Sequence, residues 1–429
     1  MLVTPWLVFQ ATAQAQAGPG QGGTMLKPPP VSGQSYRTEG SLEERSNYIS
    51  GGISAGGGYI DNIEPGSGTG QIGEGTFAIQ PSISFDTTSA RLHTSASYNP
   101  NFNFYQPSSS LNETDHNAAF KFQYRFTPRL ALNLGDTLVR SSNGFSQIGT
   151  GGISGSTQAT TPGIVVPFGE RFTNLANAEL SYQFGPHGMI GGSGDVSNMD
   201  YGNSSQTIGL YNSQSHGGGG FYNYRLSASQ YLGAIYGYEQ TLAYPTVGQY
   251  ETHTHTIDAF YTIYLTDSFS LSVASGPQYY SASHAPSPTT DAWSPSIAAS
   301  TGWQGQHSTF AAEFSRTVTG GGGLLGAFYT RTASAVGTWQ FARLWDAGLN
   351  VNYRIDKNAT TLFALTSAGG HAFTTSLSLG RTLTPHTRAA LRYDRIQNRY
   401  DGIQSIDSNP SSDRVIVSIS WTFHRPIGR

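Results

Sequence analysis

The sequence predicts an all-β chain, closed into a transmembrane up-and-down antiparallel β-barrel of about eighteen strands. Three observations predict it. Apolar residues recur at every second position in segment after segment. Short and long connections take turns between those segments. No window approaches the roughly eighteen consecutive apolar residues of a spanning helix, although charge is scarce and aromatics are abundant.

Composition sets the frame. Charged residues are 11% of the 429, against about 25% in an ordinary soluble domain. Aromatics are 12%, with 24 Tyr and 22 Phe, and Gly contributes 53 residues. The net charge of −3 leaves no basic excess for nucleic acid. Cysteine is absent, which excludes disulfides, thiolate metal sites and cysteine nucleophiles. A membrane chain without spanning helices satisfies its backbone only as a closed barrel.

The period-two signal is clearest in two places. Ala118, Phe120, Phe122, Tyr124 and Phe126 alternate with Lys121, Gln123 and Arg125. Val415, Val417, Ile419, Trp421 and Phe423 alternate with Ile416, Ser418, Ser420 and Thr422. Successive side chains of a strand point to opposite faces, so each segment has one apolar and one polar face. Phe77, Ile79, Ile83 and Phe85 share a parity, as do Leu92, Ala96, Tyr98, Phe102 and Phe104.

Soluble sandwiches also alternate; the connections separate the two cases. Tight turns fall at Thr127-Pro128-Arg129, Gly185-Pro186-His187, Ser227 to Gln230, Thr266-Asp267-Ser268 and Thr384 to Thr387. Long polar connections are expected near Ser141 to Glu170, Ser197 to His216, Ser281 to Asp291, Lys357 to Gly370 and Gln397 to Ser412. Outer-membrane barrels have short periplasmic turns and long outer loops.

In chain order this predicts strands near 48–60, 76–85, 91–104, 116–126, 130–140 and 171–184. The next six fall near 188–197, 217–226, 231–241, 252–265, 269–280 and 293–303. The last six fall near 309–318, 328–341, 345–354, 371–383, 388–396 and 413–423. The total is even and places both ends of the barrel on the periplasmic side. The segments 48–60 and 188–197 are Gly-rich, and without them the count falls to sixteen. Pro81, Pro277 and Pro295 sit inside predicted strands and require bulges or rim positions. Asp136 shares the apolar parity of Leu130, Leu132, Leu134 and Leu138. A bulge at Gly135 would turn it inward.

Ahead of the barrel, Leu2 to Phe9 is a short apolar run, and Ala13-Gln14-Ala15-Gln16-Ala17 offers A-x-A spacing. Residues 1–17 are therefore expected to be the remnant of a secretory signal. Residues 18–47, with Pro28-Pro29-Pro30, read as a flexible Gly/Pro-rich linker. The barrel is expected over 48–423, and 424–429 form a short tail.

Two passages, Phe120 to Leu138 (FKFQYRFTPRLALNLGDTL) and Arg414 to Phe423 (RVIVSISWTF), resemble the porin-like outer-membrane β-barrels of Gram-negative bacteria. The first is a strand, a tight turn and a strand. The second resembles the C-terminal strand by which such barrels are recognised for assembly, except that His424 to Arg429 follow the usually terminal aromatic residue. The resemblance implies a bacterial outer-membrane location, the lipid bilayer and the barrel assembly machinery as partners, and the trimers that porin-like barrels often form.

Residues opposite in parity to the apolar set are expected to face the lumen. They include Lys121, Arg125, Glu179, Arg225, Asp258, Glu313, Asp346, Asn350, Arg354, Arg392, Asp394 and Arg414. Mixed charge around a wide lumen sets a transverse field, although each such residue alone also serves as plain solvation of the wall. Arg388, Arg392 and Arg395 cluster with Asp394, either to attract anions or as an ion-pair network. Trp293, Trp303, Trp339, Trp345 and Trp421 lie at or near strand ends, where aromatic girdles sit. Gly52 to Gly56 matches the Gly-x-Ser-x-Gly elbow, but no helix pattern follows, so it carries no hydrolase reading. His253 and His255 share a strand face without a clear third ligand, which favours a surface pair over a metal site. The Gly-rich stretches at 18–23, 217–220 and 320–323 lack the Gly-Lys-Ser/Thr of a phosphate loop.

No catalytic constellation, cofactor or metal site is expected. The leading function is passive diffusion of small hydrophilic solutes through a water-filled lumen. The alternative is an export conduit or surface scaffold for a polysaccharide or protein partner, with the 141–170 loop folded inward or binding outside. A membrane-embedded enzyme ranks last, since no nucleophile–base pair is evident.

Overall fold

A computed structural model of the chain describes residues 47–63, 73–143, 168–202, 211–245, 248–266, 268–284, 287–320, 325–359, 369–401 and 410–427. The expected signal remnant, most of the linker and most of the 141–170 loop lie outside the described residues. The first strands are β1 (Tyr48–Ile60), β2 (Glu74–Thr88), β3 (Leu92–Tyr98), β4 (Asn101–Gln106), β5 (Glu113–Thr127), β6 (Leu130–Asn143) and β7 (Phe168–Gln183). Then come β8 (Gly188–Tyr201), β9 (Asn212–Arg225), β10 (Gln230–Tyr244), β11 (Tyr250–Thr266), β12 (Phe269–His284) and β13 (Ser287–Gln304). The last are β14 (Ser308–Gly320), β15 (Ala327–Ala342), β16 (Trp345–Asn358), β17 (Gly369–Thr384), β18 (Thr387–Asp401) and β19 (Ser411–Pro426).

Apart from β3 and β4, each strand pairs antiparallel with the next, and β1 pairs with β19 from Tyr48↔Pro426 to Ile60↔Arg414. The sheet therefore closes. β3 and β4 are two halves of one stave, because β2 pairs with β3 over Ile83–Thr88 and with β4 over Gly75–Ile79. The wall thus has eighteen staves, and the Gly-rich segments 48–60 and 188–197 are both strands.

Outward side chains are those of the apolar parity. Val417 is 58% exposed, Ile419 56%, Ile257 54% and Leu265 57%. An apolar belt of this extent is stable in acyl chains and not in water. The closed ladder leaves no backbone edge in the lower wall to meet lipid.

The three prolines sit at breaks in the ladder. Pro81 faces the gap between β3 and β4, since β2 pairs on that side only up to Ile79 and again from Ile83. Pro277 lies where the β11–β12 register is interrupted between Thr256↔Gln278 and Ala259↔Ser275. Pro295 lies on β13 above the last rung shared with β14, Ile297↔Arg316. Each missing donor falls where a partner is missing too.

That last break is the largest departure from a plain barrel. Above Ile297 the outer half of β13 pairs only with β12. The end of β14 leans into the barrel and lies against the inner face of β12. Val318 and Ala327, on the outward parity of β14 and β15, are buried against Tyr280 and Ala282 on the inward parity of β12. Ala292 of β13 and Tyr329 of β15 border the same cluster. The wall overlaps itself like a scroll, with a small dry core between its two layers.

This overlap corrects the long loop expected at Ser281 to Asp291. β12 continues to His284 and β13 starts at Ser287, with His284 opposite Ser287. The Ser, Thr and Pro content reads as a loop, but Tyr280, Ala282 and Ala292 are clamped by the inner layer, and that packing extends the strands.

Candidate functional site

The inward face starts from the β16–β19 hairpins. Arg354 Nε donates to Asp356 Oδ2 at 2.7 Å, and Thr330 Oγ1 donates to Asp356 Oδ1 at 2.7 Å. Arg388 pairs with Asp346. Asp394, fully buried, lies directly opposite Arg414. It accepts from Arg392 Nε at 2.7 Å on one oxygen, and from Arg414 Nε and Nη2 at 3.1 and 2.8 Å on the other. Two guanidiniums around one carboxylate leave one positive charge in excess. Burial of such a set requires this close geometry, because unpaired it would carry a large desolvation cost.

Arg395, the third arginine of the expected cluster, does not join it. It has the parity of Leu391 and Tyr393 and faces outward, with Nη1 at 3.6 Å from Asp413 Oδ2. Strand alternation separates Arg392 from Arg395 although they are three residues apart.

Across the lumen the charge changes sign. Glu179 on β7, Asp195 on β8, Glu239 on β10 and Asp258 on β11 all have inward parity. β18 stands about half the circumference from β9 and β10 in the strand order. Glu239 Oε1 accepts from Ser215 Oγ at 2.8 Å, and Asp258 Oδ2 from Ser296 Oγ at 3.1 Å. Glu313 on β14 accepts from Ser334 at 2.9 Å. Lys121, Arg125, Arg225 and Asn350 also have inward parity, with Arg225 bonding Ser227 O in a short turn. Asp195 and Glu239 were not singled out from the sequence. The parity of Ile190, Val196, Leu232 and Tyr236, all outward, carries the signal that finds them.

Asp195 and Glu239 flank Gly217, because Asp195 pairs with Gly217 and Gly217 with Glu239. A Cβ on Gly217 would crowd the Asp195 carboxylate. The run Gly217 to Gly220 is thus a bare lane of β9 between two acidic side chains, and not a phosphate loop.

The inner layer stands beside this acidic wall. Gly320, at the end of β14, abuts Thr241 of β10 so closely that a Cβ there would collide with it. The β14 end therefore crosses the inner faces of β12 and β11 to reach β10. Two further buried apolar clusters occur among the described residues. Met189, Phe221 and Tyr231 pack near the short-turn end, and Ile60, Ile63, Tyr105 and Ile396 near the opposite end.

Other expected features fall on the outer surface. Asp136 stays on the lipid-facing parity: the ladder runs unbroken through Lys121↔Gly135 and Phe120↔Asp136, with no bulge at Gly135. Its Oδ1 accepts from Asn174 Nδ2 at 2.8 Å, and this pairing takes the place of an inward turn. Trp303, Trp339, Trp345 and Trp421 lie near the short-turn ends of their strands, and Trp293, 68% exposed, lies in the opposite half of β13. Arg381 stacks over Trp345 at 5.2 Å. His253 and His255 face outward and hydrogen-bond Tyr238 and Tyr236 at 2.9 and 3.0 Å. Among the described residues no group of three metal-ligating side chains occurs. Gly52 to Gly56 lie within the β1 ladder.

No family model matches the chain, and no curated protein matches it in sequence. Solved structures do resemble it. The outer-membrane protein opdK from Pseudomonas aeruginosa is 12% identical, with a TM-score of 0.42 over 87% of this chain and 99% of that one. OccAB4 from Acinetobacter baumannii is 11% identical, with a TM-score of 0.41 over 89% of this chain and 100% of that one. The FrpB iron transporter from Neisseria meningitidis, in its F5-1 apoprotein form, is 10% identical, with a TM-score of 0.44 over 90% of this chain and 82% of that one. On its own closed ladder and apolar belt, this chain is an eighteen-stave antiparallel β-barrel of the membrane-spanning type.

Proposed function

We propose that this protein is a bacterial outer-membrane channel for the passive diffusion of small hydrophilic solutes. One observation carries the reading: the side chains that alternate with the apolar belt are polar or charged around an eighteen-stave wall. An eight-stave barrel is filled by its own side chains, whereas this size of wall encloses an aqueous path. Inward carboxylates outnumber inward cations among the described residues, and the paired arginines of β16–β19 stand opposite the carboxylates of β7–β11. Such a lumen carries a transverse field and favours cations over anions. The end of β14 narrows the lumen on the acidic side. The alternation from Val415 to Phe423 in β19 supports recognition by the barrel assembly machinery.

Planar-bilayer recording tests the channel reading. Purified protein should give stable conductance steps with a cation preference. A tight seal at every voltage, from protein that is folded by heat-modifiable gel mobility, refutes it.

A further inference from the structure

A cavity of about 500 Å³ opens on the outer surface of the wall, away from the lumen. It lies across β7 to β10, and most of its lining is of outward parity. The residues form two adjoining rungs. In one, Phe172 is paired with Asp200, and Asn212 with Tyr244. In the other, Asn174 pairs with Asn198 and Asn198 with Gln214. Two aromatic rings thus stand at the ends of a floor of amides and one carboxylate.

Height fixes its surroundings. Below it the outward residues of the same strands are Leu180, Tyr182, Ile190, Tyr222 and Tyr224, each at least 40% exposed. Asn198 lies ten residues beyond Gly188, the start of β8. With a rise of about 3.4 Å per residue and a tilt near 40°, that is about 25 Å above the short turns. The apolar band of such barrels is itself about 25 Å tall. The pocket therefore sits at the upper edge of the belt, level with outer-leaflet headgroups.

Its hydrogen-bonding groups are held in place and left open. Asn174 is oriented by its bond to Asp136 at 2.8 Å, and Asn212 by accepting the Tyr201 N–H at 2.9 Å. Asn198, Asp200 and Gln214 make no side-chain hydrogen bond to another described residue. Elsewhere on the outer face polar groups satisfy one another, as in Tyr98–His116 at 2.8 Å, Tyr353–His371 at 2.7 Å and Tyr393–Asp413 at 2.6 Å.

The chemistry selects the occupant. Amides offer donors and acceptors, a carboxylate accepts from hydroxyls, and flanking rings pack on C–H faces. No cation lines the cavity, and Arg140 on the neighbouring β6 is held by Glu170. A phosphate or carboxylate ligand has nothing to pair with. We propose that this pocket binds a neutral, hydroxyl-rich sugar unit carried by an outer-leaflet glycolipid. The inference rests on the outer-membrane placement proposed above.

The test uses the full chain in phospholipid nanodiscs, with a fluorescent neutral diglycosyl diacylglycerol as probe and its free headgroup oligosaccharide as competitor. The parent protein should bind the probe, and the oligosaccharide should compete. N198L/Q214L and, separately, Y244A should each weaken binding roughly tenfold, the loss expected from one or two good polar or stacking contacts. Heat-modifiable mobility and conductance should stay at the parent level, which distinguishes failure of this site from failure of the barrel reading. The proposal is overturned if the probe does not bind, if both variants bind as the parent does, or if the oligosaccharide fails to compete.

Discussion

The side chain of Gln278 holds both backbone polar atoms of Val318. Its Nε2 donates to the carbonyl oxygen at 2.9 Å, and its Oε1 accepts the N–H at 2.7 Å. One amide on β12 thus does for β14 what a neighbouring strand would do. Gln278 is 2% exposed, so the pair works in a dry setting. Gln278→Leu keeps the bulk and removes both bonds. Two buried backbone groups are then unsatisfied, at a local cost of about 2–4 kcal/mol. The β14 end should leave the inner wall and the conductance step should grow by roughly half or more, as expected when a constriction opens. Single-channel recording checks it, and an unchanged step would mean that this segment does not narrow the path.

Gly320 supplies an independent route to the same state. Its Cα lies against Thr241, and any side chain at this position meets the threonine. Gly320→Val should therefore push the inner layer away from β10 and raise conductance in the same direction. Thr241→Ala in the same background should restore part of the parental step, because it removes the colliding Oγ1 and Cγ2 and leaves only the Cβ. Failure of that rescue would show that the glycine is needed for some other reason.

Asp394 is the common partner of Arg392 and Arg414. Replacing it with Asn leaves two largely buried guanidiniums sharing a neutral acceptor. Breaking a buried pair in this way costs about 3–5 kcal/mol. The midpoint of denaturant unfolding in detergent should fall accordingly, and cation preference should fall with it because a negative charge has gone. A stability loss below about 1 kcal/mol would place the set in the weak, solvent-screened class of ion pairs.

Most of the wall was legible because lipid on one side and polar groups on the other impose strict alternation. Phe120 to Phe126 and Val415 to Phe423 show it without any knowledge of partners. The scroll was not legible for a related reason. Val318 keeps the outward parity of Phe310 and Phe314, and only its contact with Gln278, forty residues earlier, shows that its surroundings have changed from lipid to protein. The Ser281–Asp291 strand ends were missed on the same account, since their packing comes from β14 and β15. Asp136 misled differently. A charge on the apolar parity suggested a bulge, whereas Asn174 on the adjacent strand meets it where it stands.

That pair can be weighed directly. A charge on the lipid face destabilises a barrel by an amount that grows with depth and is smaller for Asp than for Arg or Lys. Asp136→Leu should therefore stabilise the protein by about 1 kcal/mol, read as a higher refolding midpoint in guanidinium. Asn174→Leu alone should do the reverse, because it strips the carboxylate of its donor. If both substitutions stabilise equally, the hydrogen bond contributes nothing.

The acidic wall makes the sharpest functional claim. Asp195 and Glu239 face each other over Gly217, which has no side chain to screen them. Ions passing on that side meet two carboxylates beside the narrowed part of the lumen. Asp195→Asn with Glu239→Gln removes both charges with little change in volume. The cation-to-anion permeability ratio should fall by roughly twofold, measured as a reversal potential across a salt gradient at low ionic strength. The difference should shrink as salt rises, because the screening length falls to about 3 Å at 1 M. A ratio that is unchanged at low salt would mean that solutes travel along the opposite, arginine-lined wall, and the preference would then have to be sought at Asp346, Asp356 and Asp394.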